Sequence, residues 1–434
     1  MSEAKGKIGL WTSTALVTGN MIGSGIFLLP ASLAFYGGIS LLGWVFTATG
    51  ALLLAKVFSY LSRLVPASGG PYAYTKAAFG DFAAFLVAWG YWISCWCTNA
   101  AIVIAFIAYL GVFFPILSNE PLVGLTVAIF TVWFLVWVNS QGIRKGGNIQ
   151  VVTTILKLIP LLSIAIFGLF YINLDHFTPF NLSEESNFDA LGITATMTLW
   201  AFLGIESATI PAGNVKDPKN TIPKASMLGT IIASVAYILS SFAIMGIVDP
   251  ASLQTSTAPF ADAGALMWGE NARYFIAFGA AASCFGALNG WTILLGQMPL
   301  AASEDRLFPR VFRKKNEHGV PVLGMVLSTI LVSGLIMMNF SESLVKQYEF
   351  IILLATLTCL VPYLFSMAGF VIISIQKKIQ FNPGFRWKLL LATLAFSYSL
   401  WAVIGSGSEI VYYGFILLMA GIPFYALIQW NKNK

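Results

Sequence analysis

Residues 19–30 read "GNMIGSGIFLLP" and fall about a dozen residues into the first long apolar stretch of the chain. That stretch, 8–36, is long enough to cross a bilayer as one helix, which takes roughly 20 apolar residues. Its middle is Gly23-Ser24-Gly25, where a membrane helix should be most regular. Two glycines and a hydroxyl there predict a break. Unwound backbone at membrane depth is tolerated only where it lines a cavity or is buried in protein.

The rest of the chain frames that break. Of 434 residues, 58% are apolar and 10% charged, far from the roughly 25% charged of a soluble protein. Twelve apolar runs are expected to form transmembrane helices: 8–36, 40–64, 82–114, 122–140, 147–172, 190–213, 224–247, 271–301, 321–339, 348–375, 387–405 and 410–430. The loops between them hold no soluble domain, so residues 1–434 read as one all-α integral membrane domain. The first run is too long for a signal-peptide core and no clean small-x-small cleavage site follows it, so it is expected to stay.

Charge sets the orientation. Twenty of the 24 Lys and Arg, from Lys5 and Lys7 through Arg144 and Lys145 to Lys432 and Lys434, fall on one side of these runs. The 173–189 loop carries Asp175, Glu184, Glu185 and Asp189 without a Lys or Arg. Basic loops stay inside, so both termini are expected in the cytoplasm, which twelve spans satisfy. The net charge of +6 follows from this topology and implies no nucleic acid.

A second break matches the first. The sixth run contains "LWAFLGIES", interrupted at Leu203-Gly204-Ile205-Glu206-Ser207. Gly23 and Gly204 are 181 residues apart, and each break opens a run of five segments. One run starts inside and the other outside, so the repeat would be inverted: about 8–172 and 190–375, with 387–430 added. Paired Gly-interrupted segments point to a transporter's midplane site. The alternative is that the glycines only let helices pack closely; a matched pair weighs against it.

Two breaks together make a chemical proposal. The outer half of segment 1 starts near Ser24, so its free N–H groups and positive dipole end suit a carboxylate. The inner half of segment 1 and the outer half of segment 6 end there with unpaired carbonyls, which suit an ammonium group. The pair reads as a clamp for an α-amino acid or an amine.

Intramembrane charges are functional candidates because burying them is costly. Glu206 is the carboxylate deep in an apolar run, and it would couple the breaks, answer a substrate cation or exchange a proton. Capping broken backbone is the plainer role. Lys157, in "TTILKLIPLL", would stand beside the first break as a fixed or titrating cation, or pair with Glu206; snorkelling to an interface is its alternative. Tyr91, Cys95, Asn99 and Ile102 share one face of segment 3, as lining or as packing. Trp200 and Trp291 lie mid-membrane rather than at an interface, as gates stacked on a cation or as core. Cys95, Cys97, Cys284 and Cys359 all sit in apolar segments, so no disulfide framework is expected. His176 and His318 lie in loops, so no metal site is expected. Without a Walker loop, H-E-x-x-H or G-x-S-x-G context, no enzyme or cofactor is expected.

These residues carry a resemblance. "GNMIGSGIFLLP", "ASGGPYAY", "LWAFLGIESATIPAGNVKDPKNTIPKA" and "GWTILLGQMPLAASEDRLFP" resemble the amino acid–polyamine–organocation superfamily over essentially the whole chain. Within it they are most similar to the basic amino acid/polyamine antiporters, which include arginine/agmatine and lysine/cadaverine exchangers. The resemblance implies a LeuT-like five-plus-five inverted repeat with broken helices 1 and 6, working by alternating access. It also implies a homodimer in the cytoplasmic (inner) membrane.

The same resemblance assigns roles. Met21, Ile22, Gly23, Ser24 and Gly25 match the unwound carboxylate-binding stretch, and Ser94, Cys95 and Asn99 the segment 3 wall. Trp200, beside Leu203, matches the outer gate, Trp291 the middle gate, and Tyr91, Glu206 and Tyr363 the inner gate. Ile102 and Ala355 stand where the arginine/agmatine branch has a methionine and a serine. Lys157 resembles instead a proton-coupled branch, where a lysine stands in for a sodium ion.

The implied function is exchange of a basic amino acid for its decarboxylated amine or another amino acid. A proton-coupled symporter of small neutral amino acids is the alternative that Lys157 and Ala355 motivate. A transporter-like nutrient sensor would carry a long cytoplasmic extension, for which the residues after segment 12 are too few.

Overall fold

In lipid a chain must satisfy its backbone polar groups internally, and a helix does so within one segment. The computed structural model describes residues 8–142, 157–210, 212–338 and 344–432. Among them the chain is helical, with one parallel bridge between Ile8 and Val215. The helices used below are α1 (Leu10–Met21), α2 (Gly25–Leu33), α3 (Ile39–Leu64), α4 (Pro71–Phe79), α5 (Asp81–Leu110) and α6 (Pro121–Ser140). After α7 (Lys157–Tyr171) come α8 (Asn187–Leu199), α9 (Pro218–Ile247), α10 (Pro259–Trp268), α11 (Glu270–Glu304) and α12 (Val322–Met338). The last four are α13 (Leu344–Gln376), α14 (Phe385–Gly405), α15 (Ser408–Met419) and α16 (Gly421–Lys432).

Among the described residues nine helices are long and apolar enough to cross a membrane, counting α1 with α2 and α15 with α16 as single spans. The apolar helices α7 and α12 are shorter. Residues 147–156 of the expected fifth segment lie outside the described residues, as do Lys5, Lys7, Arg144, Lys145 and Lys434.

Burial sorts the helices. The α1–α2 span is 94% buried and α5 89%, whereas α14 is 28% and the α15–α16 span 17%. Side chains such as Leu394, Tyr412, Phe415 and Leu427 are exposed on those outer helices; apolar surface of this kind is stable against lipid tails. The broken helix with polar residues is thus wrapped by the others.

Three local features differ from expectation. Regular helix in the sixth segment stops at Leu199, tightens to a 3₁₀ turn over Trp200–Phe202 and continues as turns to Ile210. It does not resume as a second α-helical half. The loops contain helices α4 and α10, each opened by a proline at its first position, where proline's missing N–H costs nothing. The last expected segment is two helices, because α16 begins at Gly421, where a Cβ would lie 2.8 Å from the Trp89 ring.

Candidate functional site

The first break is built by running out of hydrogen-bond partners. Ile22 N–H donates to Thr18 O at 2.8 Å, closing the last turn of α1, and Gly23 N–H turns back to Met21 O at 2.7 Å. Phe27 and Leu28 N–H groups both donate to Ser24 O, which starts α2. Among the described residues the N–H groups of Ser24, Gly25 and Ile26 have no acceptor, and the buried Ser24 hydroxyl faces that of Tyr348. Orphan N–H donors at a helix N-terminus suit an anion.

The glycines are explained by proximity rather than by unusual dihedrals. Neither Gly23 nor Gly25 has a positive φ. A Cβ on Gly25 would lie 2.8 Å from the Trp200 ring and 3.1 Å from Ala201 Cβ. Gly25 therefore lets the second break, with its indole, lie directly on the start of α2.

The carbonyl end of α1 is already occupied. Lys157 Nζ donates to Gly19 O at 2.7 Å and Ile22 O at 2.6 Å, and Trp291 Nε1 donates to Asn20 O at 3.3 Å. Lys157 is fully buried and makes no contact with Glu206 among its hydrogen bonds. Carbonyls expected to hold a substrate ammonium are thus spent within the protein.

Open acceptors lie instead on the second break. Gly204 has φ +108°, a conformation that favours glycine. Ser207 N–H turns back to Gly204 O at 2.9 Å and Thr209 donates to Glu206 O by both its N–H and its hydroxyl. The carbonyls of Phe202, Leu203 and Ile205 have no donor among the described residues. Asn20 Nδ2 reaches across to Ser207 Oγ at 2.9 Å, so one amide joins the two breaks.

Among the described residues Glu206 has no cationic partner. Its two carboxylate oxygens accept hydrogen bonds from Tyr91 OH at 2.6 Å and Tyr363 OH at 2.5 Å, and all three residues are buried. Phenols on α5 and α13 are thereby tied to the turn after Gly204. Short hydrogen bonds of this kind hold α5 and α13 against the second break. Ser94 Oγ donates to Ala355 O, and Asn99 joins Cys95 O to the Thr292 hydroxyl. Those wall residues therefore bind helices together, while Ile102 is buried beside them.

Several partners were not singled out from sequence. Asn20 is polar at mid-membrane depth, which by itself signals function. Tyr348 meets Trp200 edge-on at 5.4 Å between ring centroids, its hydroxyl faces Ser24, and Trp200 Nε1 has no partner among the described residues; nothing local in the sequence marks it. The "SGGP" loop packs on the second break through Gly69 N–H to Ile210 O and Gly213 N–H to Ser68 Oγ, both at 3.1 Å. At its end Tyr72 donates to Asp305, which also pairs with Lys76 at 3.0 Å. Burial, then the Asp305 carboxylate, pushes the Tyr72 phenol above its usual range.

Two cavities are lined by residues close in sequence to the breaks. One, about 680 Å³, is lined by Ser32, Tyr36, Glu184, Glu185, Met197 and Glu349. The other, about 260 Å³, reaches from Ser207 and Ile210 to Glu304 and Lys315. Along the chain, Trp200–Glu206 runs from Met197, on the first cavity, to Ser207, on the second.

Two broken helices meeting around buried polar groups suit a carrier. The family described as amino acid permease matches residues 8–427. The chain belongs to that family. The putrescine transporter PotE of Haemophilus influenzae is 34% identical over 437 residues, 99% of each chain. The putrescine transporter PotE of Escherichia coli (strain K12) is 35% identical over 442 residues, the whole of both chains. The cadaverine/lysine antiporter of the same strain is 35% identical over 342 residues, 78% of this chain and 76% of its own. The likeness to basic amino acid/polyamine antiporters read from the motifs therefore holds, and this family member is a membrane transporter rather than an enzyme.

Proposed function

We propose that the chain exchanges a basic amino acid for its decarboxylated amine by alternating access. The observation that carries this reading is the pairing of unclaimed donors at Ser24, Gly25 and Ile26 with unclaimed acceptors at Phe202, Leu203 and Ile205. Donors suit the carboxylate and acceptors the ammonium of an amino acid. A diamine keeps the ammonium contacts and leaves the donors empty, so one site takes both partners of the exchange. Relatives that carry putrescine or exchange cadaverine for lysine support a cationic substrate.

In this reading Met21 to Gly25 hold the carboxylate. Trp200, with Leu203 beside it, is the outer gate and Trp291 the middle one, while Tyr91, Glu206 and Tyr363 close the inner side. Ser94, Cys95, Asn99, Ile102 and Ala355 form the wall against the substrate's chain. The fold is a LeuT-like inverted repeat of twelve spans, 8–172 and 190–375 with 387–430 appended. It lies as a homodimer in the bacterial inner membrane with both termini in the cytoplasm. Nine long helices, two shorter apolar ones and α8 support that count, and the meeting of two breaks supports the repeat.

A second reading rests on Lys157. An ammonium clasping the carbonyls of Gly19 and Ile22 is placed to release α1 when it loses its proton, which would couple transport to protons. Competition for labelled lysine by cadaverine, putrescine and alanine separates the two. Displacement by both diamines and not by alanine is the expected result; displacement by alanine alone would favour the symporter.

A further inference from the structure

The end of α11 carries a residue whose backbone works against it. Arg306 has φ +61°, a left-handed conformation that an L side chain adopts at a cost. Its N–H donates to Ser303 O and the Leu307 N–H to Ala302 O at 2.9 Å, so Arg306 occupies the cap position where glycine is preferred. Lys378, just after α13, is left-handed in the same way, so the conformation alone does not explain Arg306.

The side chain supplies the reason. Arg306 and Arg310 line a cavity of about 420 Å³ together with Phe308, Phe424, Leu427 and Ile428. Neither guanidinium has an ion pair or hydrogen-bond partner among the described residues, whereas neighbouring Arg313 donates to Ser303 O and Lys315 pairs with Glu304. The apolar wall is held in place. Trp89 packs against Phe424 at 5.2 Å and against Phe308 at 6.2 Å between ring centroids, and its Nε1 donates to Leu417 O. Phe424 and Leu427 are nonetheless 51% and 61% exposed, on the least buried of the long spans among the described residues.

We propose that this cavity is a binding site for one anionic phospholipid. Its phosphate sits on the two guanidinium groups, whose planar forks match phosphate oxygens, and an acyl chain lies along Phe424, Leu427 and Ile428. A free phosphate uses only the basic half, so the apolar half commits the site to a lipid. Basic pockets between membrane helices on the side rich in Lys and Arg bind such headgroups.

The test uses purified full-length protein in mild detergent, with lipid retention read by native mass spectrometry and folding by thermal melting. The probes are a phosphatidylglycerol, the phosphatidylcholine of the same chains, and inorganic phosphate. Expected is one phosphatidylglycerol retained in preference to phosphatidylcholine. Its apparent affinity should fall about thirtyfold in the double variant Arg306→Gly/Arg310→Gln, from about fivefold for each surface arginine. Arg306→Gly suits the cap and should hold or raise the melting temperature, so its loss of lipid is not misfolding. Arg310→Gln touches no cap and should show a partial loss. The proposal is overturned if the double variant retains phosphatidylglycerol like the wild type. It is equally overturned if phosphatidylcholine is retained as well, or if inorganic phosphate stabilises the protein as much as the lipid does.

Discussion

At the scale of single residues, the centre of the site is a carboxylate between two phenols. Replacing Glu206 with Gln puts an amide donor where Tyr91 or Tyr363 now donates, leaving one buried donor unpaired at about 1–3 kcal/mol. We expect Glu206→Gln to fold but to lose at least about tenfold in exchange rate, measured in proteoliposomes beside a melting curve. Gly25→Ala is a second residue-scale test. The added Cβ, 2.8 Å from the Trp200 ring, displaces the indole, so binding should fall severalfold. Gly25→Ala with Trp200→Leu should regain melting temperature but not transport; recovery of both would make the Trp200 contact mere packing. Glu206, Gly25 and Trp200 were legible because charge, glycine and indole are each unusual at mid-membrane. Tyr348 was not, since a tyrosine near a span end is ordinary until the fold brings it to Trp200.

At the scale of elements, Lys157 acts as a peg between α7 and the end of α1. Its two bonds to Gly19 and Ile22 carbonyls mean that Lys157→Met strands two buried acceptors, each worth about 1–3 kcal/mol. We expect a clear drop in melting temperature whatever the coupling. If exchange by the surviving protein keeps the wild-type pH profile, the lysine is structural; a flattened profile marks it as the proton-coupling group. Element legibility followed hydrophobic length. Long apolar runs such as α3, α5, α9, α11 and α13 match expected segments within several residues. Helix α4 went unread because its start is fixed by Gly70 and Pro71 against Thr209, a contact that exists only once the second break is folded. The turn structure after Gly204 was equally hidden: Thr209 and Ser207 bond locally in competition with the helix ladder.

At the scale of the whole molecule, a polar, broken span sits at the most buried position and the apolar helices surround it. In the proposed function, that inversion of a soluble core lets a cationic substrate meet hydrogen-bond partners inside lipid. Composition made the membrane class legible, and the four motifs made the family legible. Substrate chemistry was less so, because, of the two sets of carbonyls expected to be open, those of α1 are taken by Lys157 and Trp291 and only those of the second break are left. The account predicts strict exchange. The direct measurement is labelled lysine uptake into proteoliposomes loaded with cadaverine, putrescine, lysine or nothing, with the membrane potential clamped and with or without a pH gradient. Uptake that requires an internal basic amino acid or diamine, and persists with an uncoupler, is the predicted result. Uptake into empty vesicles driven by the gradient, or abolished by the uncoupler, would contradict it.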